Sequence, residues 1–321
     1  MVYVVTGCLG FIGSTFVARA LADGHYVYGI DNETYAAKLT HLDRFHITHR
    51  FKYIRNDIAT LSELPDVDMI VNFAAETHVD NSIAGSTQFV HSNVLGVQNL
   101  LECIRKLPEG SRPLFVHVST DEVYGDTIDQ ASPTETSILR PSNPYAATKA
   151  AADMLIMSYA RTYGIKYKIV RPSNCIGIHQ YHEKLIPKYL RYLRMGRKFP
   201  IHGSGEQTRS WLYVTDAVDA INFVIQYGGV NTVYNIGGQI HSINDIVKLV
   251  HKCYSEEVES DILFEDTVSH GASRPGMDLH YNVDDTRLRQ TGWAGDADRG
   301  MSIEDVIKST VQYELLSSPI L

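Results

Sequence analysis

"VVTGCLGFIGS", residues 4–14, decides the fold. A short β-branched run ends at Gly7, and Gly10 and Gly13 follow at the opening of an amphipathic stretch. Glycines at a strand-to-helix junction permit a tight turn and let backbone come close to a pyrophosphate, which the helix N-terminus then meets with free N–H groups and the positive end of its dipole. The spacing is G-x-x-G-x-x-G, one residue longer than the G-x-G-x-x-G fingerprint. In a chain with 23 glycines the triplet says little alone. Its position between strand and helix gives it meaning.

Outward from this turn, short apolar runs alternate with longer helical patterns. Strands are expected at Val2–Val5, Tyr26–Ile30, Phe51–Ile54, Met69–Phe73, Leu114–Val118, Tyr167–Val170 and Val233–Ile236. Helices are expected at Phe11–Asp23, Thr87–Lys106, Tyr145–Tyr163, Asp216–Tyr227, Ile243–Tyr254 and Ile303–Leu315. Continuous apolar strands separated by helices indicate a parallel sheet covered on both faces. The fold class is therefore α/β: a doubly wound, Rossmann-like parallel sheet with a smaller α/β substrate-binding lobe. Residues 1–172 and 207–239 are assigned to the cofactor domain, and 173–206 with 240–321 to the lobe. The helix from Tyr145 carries small or apolar residues on more than one face, so it meets the sheet on one side and either the lobe or a second subunit on another.

The 321 residues are 44% hydrophobic and 21% charged, with a net charge of −8, so nucleic acid is not the expected partner. Cys8, Cys103, Cys175 and Cys253 form no C-x-x-C pair and read as reduced thiols. His41, His46 and His49 read as an exposed loop or helix face, and no metal site is expected. The N-terminus shows no secretory leader and no run is apolar enough to span a membrane, so a cytoplasmic protein is expected.

The strand ends carry the chemistry. Asp31 follows the second strand directly, where a carboxylate accepts both ribose hydroxyls of an adenosine. With Glu33 beside it and no basic residue before Lys38, a 2′-phosphate would be repelled, which favours NAD over NADP. Asp57 and Ile58, after the third strand, lie in the same row, and Ala74 and Ala75 after the fourth are small enough for a ligand to approach. The fifth strand ends in Ser119-Thr120-Asp121-Glu122, which fits an S-x-x-E capping box but also places two acids together. Tyr145 and Lys149 form the only Y-x-x-x-K in the chain; at i,i+4 they share a helix face, and an ammonium near a phenol favours the phenolate.

With these residues in this order the sequence resembles the extended short-chain dehydrogenases/reductases, and within them the nucleoside-diphosphoglucose 4,6-dehydratases. "TGCLGFIGS", "FAAETHVDNSI", "STDEVYGD", "NPYAATKA", "EKLIP", "GSGEQTRSWLYV", "YNIGG" and "RPGMD" carry the resemblance along nearly the whole chain. It implies an NAD-dependent hydro-lyase acting on dTDP-glucose, with UDP-glucose as the alternative. It also implies a homodimer through Thr87–Lys106 and Tyr145–Tyr163. Thr120, Asp121, Glu122, Tyr145 and Lys149 would be catalytic. Tyr145 would take the 4-hydroxyl proton and Glu122 the C5 proton, while a protonated Asp121 would serve the leaving oxygen and Thr120 would hydrogen-bond O4. Phe11, Ile12, Asn32, Thr34, Phe73, Ser92 and Cys175 join the cofactor contacts. Thr77, Asn174, Lys184, Leu185, Pro200, Ile201, His202, Arg209, Asn235 and Arg274 are the implied substrate contacts. Cys175, Ile176, His182, Ser210 and Met277 depart from the commoner family pattern at the nucleotide end. The competing readings are a sugar-nucleotide 4-epimerase, disfavoured by the acid pair, and a non-catalytic NAD-binding protein.

Overall fold

The computed structural model describes residues 1–128, 131–273, 275–295 and 301–317. Strands β1 (Val2–Thr6), β2 (Tyr26–Asp31), β3 (Phe51–Arg55), β4 (Met69–Asn72), β5 (Leu114–Val118) and β6 (Tyr167–Pro172) are joined in parallel in the order 3-2-1-4-5-6. Strands β7 (Asn174–Ile176), β8 (Phe199–His202) and β9 (Thr208–Tyr213) leave this sheet, and β10 (Thr232–Ile236) returns to it beside β6. The strand order reverses between β1 and β4, the crevice where open α/β sheets take ligands.

The period of two along each strand divides the core. Tyr3, Val5, Val71 and Val116 pack beneath helices Phe11–Ala22 and Val214–Tyr227. Val4, Ile70, Phe115 and Ile169 meet helices Gly96–Lys106 and Pro144–Tyr163 on the other face. A third core, with Ile186, Tyr189, Phe199, Trp211, Ile246 and Ile307, belongs to the smaller lobe. There β7 and β11 (Gln239–Ser242) flank β9, and β12 (Val268–Gly271) pairs with β8. Strand β9 lies in the segment expected in the cofactor domain, yet among the described residues it pairs with the lobe strands β7 and β11, while the helix after it returns to the large sheet.

Three local expectations are corrected. The stretch from Thr87 is not one regular helix, because Val90–Leu95 forms a π turn before Gly96–Lys106 continues as α-helix. The turn after β5 is a 3₁₀ turn, Asp121–Tyr124, capped by Thr120 rather than Ser119: the Thr120 hydroxyl accepts from the Glu122 N–H at 3.3 Å. His41 is buried, edge-on to His179 at 4.7 Å, while His46 and His49 are exposed. Among the described residues, helix Pro144–Tyr163 packs chiefly against helices of the large domain and β6. No helix among the described residues is long and apolar enough to cross a membrane.

Candidate active site

The Gly-rich turn is held from both sides. Gly7 has φ +66°, donates its N–H to the Ile30 carbonyl at 2.8 Å, and leaves room for no side chain: a Cβ there would lie 2.7 Å from the Ala74 nitrogen. A Cβ on Gly13 would meet the Gly7 carbonyl oxygen at 2.1 Å. Asp31 closes the turn, accepting from the Leu9 N–H at 3.0 Å and the Glu33 N–H at 2.9 Å. Burial raises its carboxyl pKa, and these two bonds oppose that. Arg55, brought here by β3, pairs with Glu33 at 3.0 Å, a cation that local sequence did not reveal.

Three adjoining hollows make one cleft across the strand ends. The first has Gly7, Gly10, Asp31, Asn32, Thr34, Asp57, Ile58, Phe73, Ala74, Ala75 and Ser92 in its wall. The middle one shares Gly7, Gly10, Phe73 and Ala75, and adds Phe11, Ile12, Gly13, Thr120, Asp121, Glu122, Tyr145, Lys149 and Cys175. The third shares Thr77, Glu122, Asn174 and Lys184 with it and runs under the lobe past Leu185, Pro200, Ile201, His202 and Arg209. The structure thus brings every expected cofactor residue into the first two hollows. Asn235 is a correction. Its carboxamide accepts from the Tyr124 hydroxyl at 2.7 Å and donates to the Pro133 and Asp284 carbonyls at 3.1 and 3.0 Å, so it pins β10 to its neighbours away from the cleft. Arg274 lies outside the described residues.

At the centre, Asp121 is 3% exposed. Its carboxyl is pushed up to about 7, first by burial and then by the charge on Glu122, with Ser173, Thr120 and Arg209 pulling the other way. Glu122 is half-buried and accepts from the Asn143 amide at 3.3 Å. Asn143 also caps helix Pro144–Tyr163, taking the Ala146 N–H at 2.9 Å, so one side chain fixes both the acid and the helix that carries Tyr145.

Tyr145 and Lys149 are both buried, but not as the spacing implied. The Lys149 ammonium turns to β5, donating to the Val118 carbonyl at 2.8 Å, with His117 Nε2 at 3.2 Å. Burial first, then the charge on Glu122, raises the Tyr145 phenol instead of lowering it. Burial also lowers Lys149 to about 8, against the pull of Asp153.

At the lobe end Arg209 donates to the Thr208 and Asp278 carbonyls at 2.7 and 2.9 Å and lies 4.4 Å over the Tyr281 ring. A guanidinium so held presents a fixed fork to phosphate oxygens. Ser210 is fully buried and accepts from the Gly238 N–H at 2.8 Å, so this departure from the family pattern is structural. Sequence reasoning missed Asn143, Ser173 and Tyr281. Only Asn143 carried a signal, as the residue before the helix-opening proline.

A family model described as GDP-mannose 4,6 dehydratase matches residues 4–300. The chain belongs to this family. It is a member of the nucleotide-sugar 4,6-dehydratases among the extended short-chain dehydrogenases/reductases. It is 35% identical to a dTDP-glucose 4,6-dehydratase of Haemophilus influenzae over 98% of both chains. It is 38% identical over 302 residues to an Arabidopsis thaliana trifunctional UDP-glucose 4,6-dehydratase, 3,5-epimerase and reductase, and spans 44% of that protein's length. A dTDP-glucose 4,6-dehydratase of Streptomyces venezuelae, solved with NAD bound, superposes with a TM-score of 0.89 at 36% identity, covering 99% of this chain and 98% of that one. A UDP-glucose 4-epimerase of Thermotoga maritima reaches 0.85 at 26% identity, so this fold houses more than one reaction.

Proposed function

We propose that this dehydratase-family chain binds NAD and removes water from dTDP-glucose, giving the 4-keto-6-deoxy sugar nucleotide. The observation that carries the reaction is the acid pair: Asp121, its carboxyl held near 7, and Glu122 beside it, both in the cleft wall with Tyr145. An epimerase has no use for a protonated acid next to a carboxylate. The turn fits the cofactor, since Gly7 and Gly13 exclude side chains and Asp31 keeps lone pairs toward the first hollow. The pairing of Arg55 with Glu33 leaves that end suited to NAD rather than NADP. Bound there, NAD supplies a reversible acceptor for hydride.

The protein's own groups do the proton work. Tyr145 takes the proton of the sugar 4-hydroxyl, with Thr120 bonding O4. Glu122 takes the C5 proton, which the 4-ketone has made acidic. Asp121 gives its proton to the C6 oxygen, which leaves as water. Split protonation of adjacent acids is what burial and like charge produce. Its surroundings raise the Tyr145 phenol, so the phenol needs a positive charge nearby to act as a base, the role proposed for Lys149 on the same helix face.

UDP-glucose is the second reading, favoured by the 38% identity to the plant proteins. Thymine differs from uracil by one methyl group, a discrimination of about 1–3 kcal/mol in a pocket. Incubation with each nucleotide sugar followed by mass spectrometry tests both readings. Loss of one water is expected, faster from dTDP-glucose. An unchanged mass with an inverted 4-hydroxyl would establish the epimerase, and no conversion a non-catalytic protein. We also propose a homodimer through the helices of Thr87–Lys106 and Tyr145–Tyr163, and a cytoplasmic location, in keeping with four free thiols.

A further inference from the structure

A buried polar chain runs through the sheet behind the cleft, and the dehydration chemistry does not require it. The Ala74 N–H donates to Thr6 Oγ1 at 3.3 Å, and that hydroxyl donates to Asn72 Oδ1 at 2.5 Å. Asn72 Nδ2 meets His117 Nδ1 at 2.9 Å, and His117 Nε2 meets Lys149 Nζ at 3.2 Å. Thr6, Asn72 and His117 are 0% exposed and Lys149 is 2% exposed, so bulk solvent does not compete for these groups. Polar groups this deep persist only when satisfied.

The donor count allows two arrangements. If Asn72 donates to Nδ1, the ring proton sits on Nε2 and points at Lys149, which must then be a neutral amine with a lone pair. If Lys149 is an ammonium, it has no lone pair, so Nε2 must accept and the ring proton moves to Nδ1. Asn72 must then turn its oxygen toward Nδ1 and its amide nitrogen toward Thr6, whose oxygen can accept from it as well as from Ala74. An imidazolium suits neither arrangement. The charged groups facing the ring from its neighbours are Lys149 and Asp153 on the helix, the latter 4.0 Å from Nε2, and Arg171 on β6, paired with Asp153 at 2.9 Å. Strand β4 contributes only the uncharged Asn72. Burial, Lys149 and Arg171 together keep the ring well below its usual pKa.

We propose that His117 is the positioning residue for Lys149: a permanently neutral imidazole whose tautomer follows the charge on the amine, with the Asn72 amide and the Thr6 hydroxyl turning in step. The inference rests on reading Tyr145 and Lys149 as the catalytic pair. It explains why a histidine stands inside a core strand four residues before the acid-bearing turn.

Imidazole nitrogen-15 chemical shifts of the intact labelled protein test it directly, with the His117 signal assigned by its loss in His117→Gln. The ring should stay neutral throughout, protonated at Nδ1 below the Lys149 value of about 8 and at Nε2 above it. In Lys149→Met a single tautomer should persist. One unchanging tautomer in the wild type, or an imidazolium, overturns the proposal. The kinetic arm uses two variants. His117→Asn keeps a partner for Asn72 but withdraws the acceptor from Lys149, so the ammonium is held less firmly and the alkaline limb of kcat should move down by about one pH unit. His117→Gln places a carboxamide oxygen roughly where Nε2 stood and should hold the limb near the wild-type position. Equal limbs in all three proteins also overturn it. A wild type that converts no nucleotide sugar would remove the functional reading, and the tautomer measurement would still decide this one.

Discussion

Asp121 and Glu122 are neighbours in the chain and strangers in environment. One is almost fully buried in the wall of the middle hollow; the other is half-buried and faces the sugar side of the cleft. The difference has a thermodynamic signature. Asp121 is raised from 3.8 in the unfolded chain to about 7, so the folded state holds its proton more tightly. Its contribution to stability is fully present below pH 3.8 and is lost as pH rises through about 7. Asp121→Asn removes the titration, so the variant should gain roughly 2–4 kcal/mol relative to wild type at pH 8, with no such gain near pH 4. Denaturant melts at the two pH values check it; equal differences at both would mean the acid is not held protonated. Glu122→Gln speaks to the chemistry. Oxidation at C4 should survive while turnover drops ~10²-fold or more, the usual loss for a missing general base. Exchange of the C5 hydrogen with deuterated water should nearly stop. Tyr145→Phe should instead suppress the absorbance of reduced nicotinamide that substrate elicits. Normal C5 exchange in Glu122→Gln would remove the base assignment.

At the level of elements, the strand–turn–helix unit at the N-terminus does two jobs with one set of glycines. Gly13 lets the helix seat against the turn, and a methyl group there would strike a backbone oxygen that no rotamer can clear. Gly13→Ala should lower the melting temperature and weaken NAD binding at least tenfold, read by calorimetric titration; unaltered affinity would place the pyrophosphate elsewhere. This unit was legible because its signal is local, as were all seven strands of the large sheet. Contacts distant in sequence were not. The π turn at Val90–Leu95 continues a helical pattern without interruption, yet it brings Asn93 to donate to the Glu76 carbonyl at 3.0 Å and to Thr148 Oγ1 at 2.9 Å, tying the loop after β4 to the catalytic helix. The Y-x-x-x-K spacing gave the shared face of Tyr145 and Lys149 but not the direction of the amine, which His117 and Val118 set from another strand. Asn235 looked like a ligand contact because its motif matched, and only the fold shows its amide spent on three protein groups.

At the scale of the whole molecule, direct hydrogen bonds tie the two parts together beside the cleft. Lys184 donates to the Thr77 carbonyl at 3.0 Å, and the Tyr35 hydroxyl reaches Glu183 at 3.4 Å. Among the described residues the catalytic helix packs chiefly against elements of the large domain, and its outer face is the one proposed to meet a second copy. Val90 and Leu95 are 43% and 50% exposed, and Met154 on the partner helix is 48% exposed. Large apolar side chains on two helices that pack together form the kind of surface a second copy covers, and a stable pair needs about 800 Å² from each subunit. Sedimentation at micromolar concentration should therefore give twice the 36.0 kDa of one chain. Leu95→Arg combined with Met154→Arg should yield monomers whose far-ultraviolet circular dichroism is unchanged, since both positions are exposed within one chain. Turnover should fall in that variant, because the helix carrying Tyr145 and Lys149 would lose its outer support. A wild type that sediments as a single chain, or an arginine pair that remains dimeric, would move the interface away from these helices and leave the cleft chemistry standing.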